Sequence, residues 1–244
     1  MSPQLSRREF LAYGAALGWI PFLRPRHVSL AGARFRIHRN GRSPRRYLLI
    51  HGNEETARAV LLYHIRMHEG IAFEIEGHTR NIDVAGGLVD PNRMFSRVGA
   101  EASLRRLNPE WGPDRIAAAL RVLDTGREKL VKAFFPPPGG LLIALHNNSQ
   151  GYSVEDEEAD SDAGSLREPE NPHAFYICTS PADFRVLAGS PYNVLLQNRA
   201  PKVDDGSLSR LAAARGVRYV NLEVALGRKD RQREMLDWLD WNLP

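Results

Sequence analysis

His51 and Glu54 are the residues whose types and spacing most directly suggest chemistry. They sit in Leu48-Leu49-Ile50-His51-Gly52-Asn53-Glu54-Glu55, where an apolar run stops at a glycine-containing turn. A strand that ends this way delivers an imidazole and a carboxylate together to its exposed end. Both groups suit Zn²⁺, and one further protein ligand leaves a catalytic coordination position open. His-x-x-Glu alone is a common coincidence. Three later segments add weight: Asp90-Pro91-Asn92-Arg93, then Leu145-His146-Asn147 closing another apolar run, then Leu222-Glu223-Val224.

The elements that must position these residues read as strands alternating with helices. Arg34–His38 and Tyr47–Ile50 are expected strands around the turn Asn40-Gly41. Thr56–Met67 has helical spacing, with Ala59, Val60, Leu62, Tyr63 and Met67 as its apolar residues. Ala72–Ile75 is a short strand, and Gly86-Gly87 and Asp90-Pro91 mark turns. Pro113–Phe134 is a long helix with proline in its first turn. Leu141–Leu145 is continuously apolar, as a strand buried on both faces should be. Ala174–Cys178, Val194–Gln197 and Val217–Val224 are further strands. Ser207–Arg215 and Asp230–Trp241 are further helices. The expectation is an α/β three-layer domain, with a central mixed, mostly parallel sheet flanked by helices. Ligands bind such sheets at the carboxyl ends of strands, where His51 and His146 fall.

Residues 1–33 read as an address. Ser6-Arg7-Arg8-Glu9-Phe10-Leu11 is a twin-arginine export pattern. The apolar segment after it is too short for a membrane span, which takes roughly 20 residues. Ala31-Gly32-Ala33 has small residues where a cleavage site needs them. The division expected is a signal peptide over 1–33 and a single catalytic domain over 34–244. The mature chain would lack a membrane span, meet the twin-arginine machinery, and work in the periplasm or outside the cell.

Arg7, Arg8, Arg24 and Arg26 against Glu9 place most of the net charge of +4 in that segment. The cluster Arg34, Arg36, Arg39, Arg42, Arg45 and Arg46 reads as a charged edge strand and turn. Nucleic acid is not an expected partner, because no aromatic and basic residues interleave to stack bases. Cys178 is the one cysteine, so stability must come from a core rather than an intrachain disulfide. The acidic run Glu155–Glu170 reads as a mobile solvated loop that borders His146. His64 and His68 stand four apart, which is a metal-ligand spacing, but they are expected to face solvent. His38, His78 and His173 have no evident partners.

The ordered set resembles the zinc carboxypeptidase family, together with its succinylglutamate desuccinylase and aspartoacylase relatives. The resemblance runs from about Tyr47 to Glu223. It implies one Zn²⁺ per chain held by His51, Glu54 and His146. It implies Asn92 and Arg93 as a clamp for the substrate carboxylate, Glu223 as the catalytic base, and Arg80 as the group that polarises the scissile carbonyl. The family's active-site tyrosine falls to Tyr192 or Tyr176, with Tyr192 taken as the substrate-binding residue. The implied activity is hydrolysis of an amide next to a free carboxylate. The first expectation is a metallocarboxypeptidase acting on peptides or peptidoglycan stems. The alternatives are a zinc deacylase of N-acyl amino acids and a non-catalytic domain that binds peptide termini.

The residues support that chemistry in their own right. A carboxylate such as Glu223 can take and return a proton during attack on a carbonyl. Cationic groups beside the oxyanion stabilise it. A guanidinium such as Arg93 matches a planar two-oxygen anion.

Overall fold

The computed structural model describes residues 26–148, 151–199 and 203–244. Arg7 and Arg8, and with them the twin-arginine pattern, lie outside the described residues.

The chain is α/β, built on a large mixed sheet. Its strands are β1 (Arg26–Leu30), β2 (Ala33–Asn40), β3 (Arg46–Leu49), β4 (Gly70–Ile75), β7 (Leu142–Asn148), β8 (Ala163–Ser165), β9 (Phe175–Cys178), β10 (Asn193–Leu196) and β11 (Tyr219–Ala225). A separate hairpin pairs β5 (Ile82–Val84) with β6 (Gly87–Val89). The large sheet runs β1-β2-β4-β3-β7-β11-β9-β10-β8. The central neighbours β4, β3, β7 and β11 are parallel, and antiparallel pairings flank them. β4 and β7 are buried at every position, as strands covered on both faces must be.

Among the described residues the helices are α1 (Glu55–Met67), α2 (Arg97–Leu107), α3 (Pro113–Phe134), α4 (Glu155–Glu158), α5 (Pro181–Leu187), α6 (Leu208–Ala214) and α7 (Lys229–Asn242). α3 occupies the span its proline start and apolar periodicity predict. Its Phe134 packs edge-on against Phe35 and Phe73 of the sheet. None of the described helices is long and apolar enough to cross a membrane.

Three findings bear on the expectations. First, the sheet begins at Arg26, inside the expected segment 1–33, and β1 pairs with β2 along its whole length. Ala31-Gly32 is the turn between them, with Ala31 at φ 50° and the Gly32 N–H bonded to Asp83 O. A cut after Ala33 would therefore remove an edge strand, and the arginine-rich β2 lies one strand inside the edge. Second, α1 forms as expected but buries a different face. Ala57, Val60, Leu61, His64 and Ile65 point inward, whereas Tyr63 and Met67 are exposed. Third, the acidic run is not one long loop: it forms α4 and then β8, which pairs with β10.

Candidate metal centre

Parallel pairing brings the key residues together. β3, β7 and β11 are neighbours with aligned carboxyl ends, and Glu223 stands directly opposite His146. His51 follows the end of β3, and Glu54 is the N-cap residue of α1, so the turn between strand and helix folds the carboxylate back onto the imidazole. Gly52 makes that turn possible. A Cβ there would lie 2.7 Å from Thr79 O and 2.8 Å from Gly77 O. Arg58, in the first turns of α1, fastens the arrangement. It donates to the carbonyls of Gly52, Ile75 and Gly77 and pairs with Glu74.

His51, Glu54 and His146 are all buried, and one ligand atom from each lies within 4.8 Å of the others. His51 Nδ1 is 2.8 Å from Glu54 Oε1, and its Nε2 is 2.9 Å from Asp90 Oδ1. His51 thus faces a carboxylate through each ring nitrogen, and its Nδ1 and Glu54 Oε1 can share a proton or hold a metal ion between them. Glu54 Oε2 is 3.4 Å from His146 Nδ1. Two ligands bound tetrahedrally at about 2.0–2.1 Å are themselves about 3.3 Å apart. Glu54 Oε2 and His146 Nε2 are buried without a hydrogen-bond partner among the described residues. The cluster can hold a metal ion.

The groups of the cluster are electrostatically coupled. Burial disfavours charge on His51, but hydrogen bonds to Asp90 and Glu54 outweigh it and lift the imidazole to about 9. Burial likewise opposes ionisation of Glu54, yet His146 and His51 pull its carboxyl down to about 2. Asp90 is held well below the usual carboxylate range, against burial, by His51 and Arg80. A histidine that binds metal commonly donates its other N–H to such a carboxylate, which fixes ring and tautomer. Asp90 is itself fixed: it accepts from Asn92 N–H at 2.8 Å, and its own N–H donates to Ser103.

A cleft of about 740 Å³ opens over this cluster, and Arg80, Asn92, Arg93 and Glu223 line it too. Glu223 is buried, and burial pushes its carboxyl up from the ordinary glutamate value. Asn221 Nδ2 donates to Glu223 Oε1 at 3.1 Å. Arg80 is half exposed, 3.3 Å from Asp90 and 3.6 Å from Glu54. Asn92 Oδ1 accepts from the Leu208 N–H of α6, so what Asn92 can offer a ligand is its amide N–H. Arg93 pairs with Asp205 at 3.1 Å at the cleft wall.

Tyr192 is not part of this gathering. It packs edge-on against Tyr176 and Trp238, with the Arg231 guanidinium 4.5 Å over its ring. Tyr176 is buried with its hydroxyl donated to Met235 O. Aromatic bulk sends both rings into the core beside α7. The tyrosine that does line the cleft is Tyr152, whose hydroxyl donates to Glu157 at 2.8 Å. Nothing in its local sequence marks it, other than its place beside the acidic run. Glu157 and Asp160 of that run also border the cleft, as its position after His146 suggests. Asp90 is the other residue whose role sequence reasoning missed: it was legible as a turn former, and it also orients His51.

No family model, curated protein or solved structure matches this chain.

Proposed function

We propose that this chain is a zinc-dependent hydrolase that cleaves an amide bond next to a free carboxylate, as the resemblance to zinc carboxypeptidases implies. The observation that carries the proposal is the convergence of residues from four distant segments on one cleft: His51 with Glu54, Asn92 with Arg93, His146, and Glu223. A donor set of two imidazoles and one carboxylate suits Zn²⁺. When bound, zinc supplies Lewis acidity and makes water easier to ionise.

The chain's own groups carry the remaining work. Glu223, its proton affinity raised by burial, takes a proton from the attacking water and returns it to the leaving amine. Arg80, at the mouth beside Glu54, offers donors to the oxyanion. Arg93 binds the substrate carboxylate, and Asn92 adds an N–H. Asp90 keeps the His51 ring in place. A cleft of about 740 Å³ lies within the ordinary range for small-molecule sites, which suits a terminal residue with its neighbour.

The test is purification with metal analysis, followed by assays on short peptides and on N-acyl amino acids. About one zinc needed for activity is expected, with release of the C-terminal residue from peptides. Glu223→Gln should keep the zinc and lose about 10²–10⁴-fold in kcat. Full activity in Glu223→Gln would overturn the role of that residue. Hydrolysis of N-acyl amino acids alone would identify a deacylase instead.

A further inference from the structure

A second group of metal-ligand side chains lies at the other end of α1. His64 and His68 stand one turn apart with their rings stacked, centroids 4.0 Å apart and planes within 3°. Asp237 of α7 faces them, its Oδ1 3.5 Å from His64 Nδ1. One ligand atom from each of His64, His68 and Asp237 lies within 4.8 Å of the other two.

Asp240, one turn further along α7, prepares His64 as Asp90 prepares His51. Its Oδ2 is 2.7 Å from His64 Nε2, and it also accepts from Tyr47 Oη and Arg45 Nη1. His64 thus presents Nε2 to Asp240 and Nδ1 towards the Asp237 carboxylate. Nδ1 and the carboxylate oxygen face each other at 3.5 Å, too far for a good hydrogen bond and near the separation of two ligands on one tetrahedral ion.

We propose that His64, His68 and Asp237 form a second divalent transition-metal site, which pins the C-terminal end of α1 to α7. Two imidazoles and a carboxylate suit Zn²⁺, Ni²⁺ or Cu²⁺ rather than Mg²⁺ or Ca²⁺. His68 and Asp237 keep about a third of their side-chain surface exposed, so the ion enters from solvent and water completes its shell. α1 thus carries a metal-ligand set at each end. Glu54 and His64 are ten positions apart, about 15 Å along a helix, so the two sites are separate.

The test uses full-length His146→Ala protein, stripped with chelator and titrated with ZnCl₂ by calorimetry and with Co²⁺ by absorption. One equivalent should bind, and zinc at about 100-fold over its Kd should raise Tm by roughly 5 °C. Adding His68→Ala should abolish both effects. Asp237→Asn, which preserves side-chain shape, should weaken binding in parallel if His68→Ala fails to fold. Failure of His146→Ala protein to bind metal would overturn the proposal, as would binding unchanged by both further substitutions. The hydrolase reading stands or falls separately. If it fails at the first centre, the wild type binds one ion, lost on His68→Ala and kept on His146→Ala.

Discussion

Asp90 is the side chain that should report most on the metal centre without being a ligand. Asp90→Asn keeps the shape but removes the charge that anchors the His51 Nε2–H. Metal affinity should fall about 10–100-fold, measured by competition with a chelator of known affinity. An unchanged affinity would leave Asp90 with only its turn-capping role at Asn92. At this scale the sequence carried residue types well and directions poorly. His51, Glu54, His146, Asn92, Arg93, Arg80 and Glu223 all reach one cleft because strand ends and the turns after them can be read from where apolar runs stop. Tyr192 does not, because a tyrosine's ring and hydroxyl suit a core as well as a cleft. His64 was expected in solvent. It is buried because Asp240, 176 positions away, supplies a partner that no local pattern reveals.

Among elements, those with large apolar residues at regular spacing were legible and those built on small residues were not. α2 buries Gly99, Ala100, Ser103 and Leu104 while Val98 is exposed, so its inward face carries little hydrophobic signal. The reason is close approach: a Cβ at Gly99 would lie 2.3 Å from the Gly206 Cα. β1 was hidden differently, since a small-residue turn and a cleavage site have the same composition. The turn between β3 and α1 is the element on which the centre most depends. Gly52→Ala would force a methyl against two carbonyl oxygens, at a cost of about 1–3 kcal/mol, and would displace Glu54 from His51. Urea unfolding together with metal analysis checks this. A variant with wild-type midpoint and full metal content would show that the loop over 77–79 yields freely.

For the whole molecule, the pair of Glu74 with His38 and Arg58 ties the sheet to α1 and makes stability depend on acidity. His38, and Arg58 against the opposing effect of burial, hold the Glu74 carboxyl below the ordinary glutamate value. A group whose pKa is lower folded than unfolded contributes stability above its unfolded value, about 4.3, and loses it as pH falls through the folded value. Glu74→Gln should therefore cost about 1–3 kcal/mol at pH 7, and the gap to wild type should narrow as pH drops from about 5 to 3. Urea midpoints across that range measure it, and a gap that stays constant with pH would sink the account. The pairing of His146 with Glu223 bears on how this gene can change. Side chains alternate faces along a strand, so losing one codon between those for Tyr219 and Leu222 would turn the glutamate to the opposite face of the sheet. A survey of single-codon deletions should find β11 intolerant and the surface segment 166–171 permissive. Equal tolerance would show that the strand can slip back into register. Lineages of this chain would then accumulate length variation in surface segments such as 166–171 while the spacing inside the cleft floor stays fixed.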